Sequence, residues 1–200
     1  MRRFALAAAV AAGLIASAEK NGFAQDDRPA KPRPGHAEQK RGATLDDLFS
    51  RLAAAKDETE AKGVASLIER RWMRSGSDTA DLLMARAGEA IKAEDFPLAI
   101  ELLDRVIALQ PAWAEAWNRR ATAFYLLDDP ASAMSDIRQV LAREPRHFAA
   151  WAGLGHIYLA SGDKARALDA FRRALAIHPH HEAARTAVER LAPEIEGRDL

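Results

Sequence analysis

The chain has no cysteine among its 200 residues. Disulfides, cysteine-ligated zinc and thiol catalysis are therefore excluded, and packing alone must hold the fold. Aromatic residues are scarce, at 6%, so a core has few large side chains to draw on. Neither sign of charge is in excess, with 29 basic and 29 acidic residues. That balance argues against a nucleic-acid partner, which calls for a basic face. No HExxH, GxSxG, Walker loop or GxGxxG is present. Serine and histidine residues occur, but nothing in the sequence links them to an acid. The chain therefore reads as a non-enzyme without a cofactor. Its abundant residues are Ala, Leu, Arg and Glu, among the best helix formers, and the expected class is all-α.

Long apolar runs are also missing. Phe4 to Ile15 is apolar but shorter than the roughly 20 residues that span a bilayer. It follows Arg2 and Arg3 and precedes the small residues Ala16-Ser17-Ala18. This is the three-part pattern of a secretory signal over residues 1–24, cut after Ala18 or after Ala24. An uncleaved anchor or a buried helix is the alternative. Export implies the periplasm, with no transmembrane segment after cleavage. Residues 25–43 hold three prolines, two glycines and many charges, with almost nothing to bury. They read as a disordered, solvated linker or tether.

Prolines fall at Pro111, Pro145 and Pro179, 34 residues apart each time. Aligned on them, three units start at Ala80, Ala114 and Phe148. Each carries a small residue in its first helix (Ala87, Ala121, Gly155) and another in its second (Ala99, Ala133, Ala167). A bulky residue follows in the second helix (Leu103, Ile137, Phe171). The first-helix anchors are Leu83, Trp117 and Trp151, and the two tryptophans are expected to bury the most area. Expected helices are 80–93, 97–109, 114–127, 131–143, 148–161 and 164–177. Arg86 and Arg120 stand where a leucine is usual, and their long stems can snorkel over apolar surface. Looser packing is expected around them. Thr44-Leu45-Asp46-Asp47 opens a further helical pair over 44–76, which reads as a degenerate fourth repeat. Residues 182–196 form a solvating cap helix.

The third unit reads Trp151-x-x-Leu154-Gly155-x-x-Tyr158, then Ala167-x-x-x-Phe171, Ala174 and Pro179. It resembles the tetratricopeptide (TPR) repeat at every diagnostic position. The resemblance is strong over 80–179 and looser over 44–200. The chain also resembles small exported alphaproteobacterial proteins of this family. The resemblance implies an α-α superhelix of three clear repeats (80–113, 114–147, 148–181), whose first helices line a concave groove for a protein or peptide partner. By family geometry the groove residues are Asp81, Met84, Gly88 and Ile91, then Glu115, Asn118, Thr122 and Tyr125 with Arg119 beside them. Ala149, Ala152, His156 and Leu159 complete the set. Packing within the array is the alternative for Met84 and Ile91. Of the Lys and Asn set with which one subclass grips a terminal carboxylate, only Asn118 and its neighbour Arg119 are suggestive, and Met84, Gly88 and Ala152 depart from it, so such a clamp is not expected. The expected state is a monomeric scaffold in the cell envelope. A self-associating structural protein of the periplasm, stacking through exposed repeat ends, is the alternative.

Histidines are the remaining chemical candidates. His178, His180 and His181 cluster near Glu182, and His147 lies one repeat earlier. Imidazoles suit zinc, copper or nickel. Loop positions beside the repeat prolines account for them better, and no metal is expected.

Overall fold

The structure is a computed structural model that describes residues 43–197. The expected signal segment 1–24 and linker residues 25–42 lie outside the described residues. Nine helices and no strands occur among the described residues. They are α1 (Leu45–Ala53), α2 (Glu58–Trp72), α3 (Asp78–Lys92), α4 (Phe96–Leu109), α5 (Ala114–Leu126), α6 (Pro130–Arg143), α7 (Phe148–Ala160), α8 (Lys164–Ile177) and α9 (Glu182–Glu196). Each of the six expected repeat helices is found within two residues of its expected ends.

Local chemistry sets these limits. Thr44 Oγ1 accepts from the Asp47 amide at 3.1 Å, and the Asp47 carboxylate accepts from the Thr44 amide at 2.8 Å. This reciprocal box satisfies two otherwise orphaned donors of α1. Within each repeat the first helix ends on a residue with positive φ, at Glu94 (59°), Asp128 (63°) and Gly162 (81°). The next residue, Asp95, Asp129 or Asp163, then caps the second helix through its carboxylate. Proline at the first turn of α4 and α6 costs no hydrogen bond.

Repeat helices approach closely where small residues allow it. Ala99, Ala133 and Ala167 are fully buried, as are Leu103 and Phe171, and Ile137 nearly so. Gly155 lies directly against the Phe171 ring, and a Cβ there would sit 2.7 Å from the ring edge. Phe171 is the largest of the fully buried side chains. Trp117 and Trp151 are partly buried and pack against the core clusters. Their indole N–H groups donate to Pro111 and Pro145 carbonyls at 3.0 and 2.9 Å. Arg143 and Arg173 cover their outer faces. The indoles thus join the repeat cores to the loops.

Arg120 does more than snorkel. It forms a two-pronged ion pair with buried Asp136, both contacts 2.8 Å, and reaches Asp104 at 2.5 Å. A paired, hydrogen-bonded charge replaces the usual leucine, so the packing around it is specific rather than loose. Arg86 is exposed.

The α1–α2 hairpin is not stacked beneath α3–α4 as a further repeat would be. Its buried residues Leu48, Phe49, Leu52, Val64 and Ile68 form one cluster with Phe148, and Ile177 packs on that cluster. The hairpin therefore lies across the loops that follow α4, α6 and α8. The physical reason is in the surfaces on offer. Phe49 and Trp72 meet an aromatic edge at Phe148 and His147. The exposed side of α3 carries Asp78, Leu82, Ala85 and Arg86, with no aromatic ring to meet them. Gly76, with φ of +80°, turns the chain between α2 and α3. Asp81 fixes that turn by accepting from the Ser75 amide and hydroxyl at 3.0 and 2.6 Å.

The close contact at Gly155 gives a direct test. Gly155→Ala gains helix propensity of about 1 kcal/mol but must displace Phe171, an overpacking cost of about 1–3 kcal/mol. A lower melting temperature is expected, recovered when Phe171→Leu is added. Circular-dichroism melts of the two variants decide it.

Candidate partner-binding groove

The first helices α5 and α7 run side by side and leave a cleft between them. A cavity of about 210 Å³ opens there, lined by Asn118, Ala121, Thr122, Tyr125, Ile137, Ala149, Ala150, Gly153, His156 and Ile157. Its floor is apolar and its rim polar. Ala149 and Gly153 keep the α7 wall low enough to admit a side chain. The Thr122 hydroxyl donates to the Asn118 carbonyl at 3.0 Å, which leaves its lone pairs facing the cleft. Tyr125 is 42% exposed. His156 rests edge-on against Phe171 at 5.0 Å between ring centres. Burial first, and the Arg190 charge second, hold its pKa below the ordinary histidine value. A neutral ring can both donate and accept.

Five of the expected groove residues thus share one cavity: Asn118, Thr122, Tyr125, Ala149 and His156. Several of the others are used elsewhere. Met84 is buried in the α3–α4 core. Ile91 packs against Ala90 and Ala99, and Leu159 against the α8–α9 cluster. Asp81 is engaged with Ser75. Glu115 is buried, and Arg119 pairs with it at 2.8 Å. Sequence reasoning missed Ile137, a second-helix residue that forms the floor, and Gly153. The rule that first helices line the groove hides the former, and a glycine carries no side chain to notice.

One end of the groove is closed by α2. A second cavity of about 170 Å³ lies between Glu69 and Trp72 of α2, with Met73 just after it, and Glu115, Asn118, Arg119, His147 and Ala149. The Trp72 ring stacks on His147 at 4.1 Å, 8° from parallel. His147 Nδ1 accepts from the Ala150 amide at 3.2 Å, so the proton sits on Nε2, which donates to Glu115 at 3.1 Å. Burial pushes the Glu115 carboxyl up. The His147 hydrogen bond, with the charge and hydrogen bond of Arg119, outweighs this and holds it below the ordinary carboxylate range. Trp113 joins the same junction by donating its indole N–H to the Trp72 carbonyl at 2.6 Å. His180 Nε2 lies 3.0 Å from the Ala55 carbonyl, and Arg146 reaches Asp46 at 2.7 Å.

The histidines therefore serve the hairpin junction. His178 and His181 pack edge-on against Phe148. Among the described residues no group of three or more His, Asp or Glu side chains is placed to hold a metal ion. No helix among them is long and apolar enough to cross a membrane.

Paired helices at a fixed period, packed small against large around a shared cleft, define a helical-repeat protein. Two family models, both of the tetratricopeptide repeat, match residues 84–138 and 125–191. The chain belongs to the tetratricopeptide repeat family. It is 44% identical over 93 residues to a TPR repeat-containing protein of Rhizobium etli, covering 46% of each chain. The match thus spans less than half the length of that relative. Among solved structures, the first TPR of Spaghetti (RPAP3), bound to an HSP90 peptide, superposes with a TM-score of 0.57. Its identity is 20%, over 60% of this chain and 95% of that one. The crystal structure of MamA protein gives 0.54 at 20% identity, over 76% and 81%.

The junction makes stability depend on pH. His178 is pushed down to about 4, mainly by burial, then by the His181 and His180 charges. The unfolded chain, with an ordinary histidine, binds the proton more readily. Stability is therefore full above the unfolded value and falls as pH drops from about 6.5 toward 4, by about 3 kcal/mol. His156 and His181, also lowered, act in the same direction. Thermal melts from pH 7.5 to 4.5 should show the fall, and His178→Gln should flatten it.

Proposed function

We propose that this chain is a non-catalytic interaction scaffold that holds a segment of a partner protein in the groove between α5 and α7, in the cell envelope. The observation that carries this reading is the solvent-open cavity of about 210 Å³, apolar in its floor and polar at its rim. A cleft of that size accepts one large apolar side chain. Asn118, Tyr125 and neutral His156 stand at its mouth to hydrogen-bond the backbone of the same segment. Binding by an apolar anchor with polar orienting groups is how extended or helical peptides are recognised on grooves. The solved TPR structure with a bound HSP90 peptide supports a peptide ligand for a fold of this kind. The envelope location rests on the signal-like residues 1–24.

Filling the cavity tests the reading. Ala149 is exposed at the groove wall, so Ala149→Trp should leave the melting temperature within about 2 °C, as surface substitutions do. It should abolish the partner cross-links that the unaltered chain gives in cells, read by mass spectrometry. Tyr125→Ala should weaken the same cross-links. Recovery of identical partners with all three proteins would defeat the groove assignment.

A further inference from the structure

We propose that the free side of α3 pairs with the same side of a second copy of this chain, the two α3 helices running antiparallel about a two-fold axis at Leu82. The argument starts from what the repeats do with equivalent positions. Ala116 and Ala150, one and two repeats beyond Leu82, are 0% and 1% exposed. They are covered by the second helix of the preceding repeat, with Leu103 and Val106 above Ala116, and Ile137 and Val140 above Ala150. Leu82 is 57% exposed. The same holds at Glu89, which is exposed where Ala123 and Ile157 are buried, and at Leu102, half-buried where Asp136 and Ala170 are buried. This is an interface position with no occupant among the described residues. The hairpin that precedes it in the chain packs against Phe148 instead.

The charges say what fits there. Asp78, Leu82 and Arg86 are spaced by four residues, which places them in one row along α3. All three are exposed. Neither the Asp78 carboxylate nor the Arg86 guanidinium has a hydrogen-bond or ion-pair partner among the described residues. The row reads acid, leucine, base. Asp78 lies about 6 Å before Leu82 along the axis and Arg86 about 6 Å after it. A two-fold axis through Leu82 therefore sets each Asp78 opposite the second copy's Arg86, twice, with the leucines in contact between them. Ala85 on the same side lets the helices come to the usual 8–10 Å, a general helix-packing distance (about one side-chain layer). A self-complementary patch of this kind is what an isologous interface requires. The patch is small, so the dimer is a weak one, dissociating in the micromolar range.

Sedimentation equilibrium on the untagged chain is the test. A concentration-dependent dimer is expected. Asp78→Arg and Arg86→Asp should each weaken it by about tenfold or more, because each sets like charges opposite one another. Mixed one to one, these two variants should form a heterodimer tighter than either alone, since both cross-axis pairs are then restored. The double variant should regain self-association. Unchanged helical circular dichroism confirms folding in each case. Leu82→Cys should form a symmetric disulfide on mild oxidation, as the chain has no other thiol. A monomer at every concentration would overturn the proposal. That result would mean the face is covered within one chain, by residues 1–42 or by the hairpin, or belongs to another partner. A dimer indifferent to both single charge reversals, or a mixture no tighter than its components, would overturn it equally.

Discussion

The structure depends on how closely two short helices can lie. Helices of 13 to 15 residues are marginal in water when isolated. They persist here because each pair buries a small residue of one helix against a large one of the other. The third repeat takes this furthest, with Gly155 in contact with Phe171. The first two repeats use alanine with leucine or isoleucine at the same places. The trade between small and large keeps the inter-helix space filled at constant volume. The cleft between α5 and α7 exists because that packing fixes both walls.

Much of this architecture was legible in the sequence. The spacing of 34 between Pro111, Pro145 and Pro179 sets the register, and the small and large positions follow from it. Turn chemistry was legible too, since Gly162 carries the positive φ that Asp128 and Glu94 adopt in its place. Five residues assigned to the groove line one cavity between α5 and α7. The misreadings share a physical origin. Arg120 looked like a poor leucine because its partners, Asp136 and Asp104, lie 16 residues away on either side. Glu115 looked available for a ligand because nothing local shows that His147, 32 residues on, donates to it in the interior. Local pattern states which face a side chain takes, not which distant group already occupies that face.

The α1–α2 hairpin is the clearest case. Its helical period and its cap at Thr44 were readable, but its position was not. The hairpin's strongest surface is aromatic, through Phe49 and Trp72, and its best complement is the imidazole-rich edge made by His147, Phe148, His178 and His181. Those residues look like loop furniture in sequence. Only stacking of the repeats gathers them into a single surface. The same docking places α2 at one end of the groove, so the element that departs from the repeat pattern also sets the groove's length.

Seen mechanically, that hairpin is a strap. An ordinary helical-repeat array touches only nearest neighbours and behaves as a spring, each interface flexing and unfolding on its own. Here one element grips the loops after α4, α6 and α8 together, through Trp113, Arg146 and His180. Bending the array would have to slide or break those grips at once. Curvature is thereby pinned, thermal unfolding is drawn into one concerted event, and the cleft keeps its width while empty.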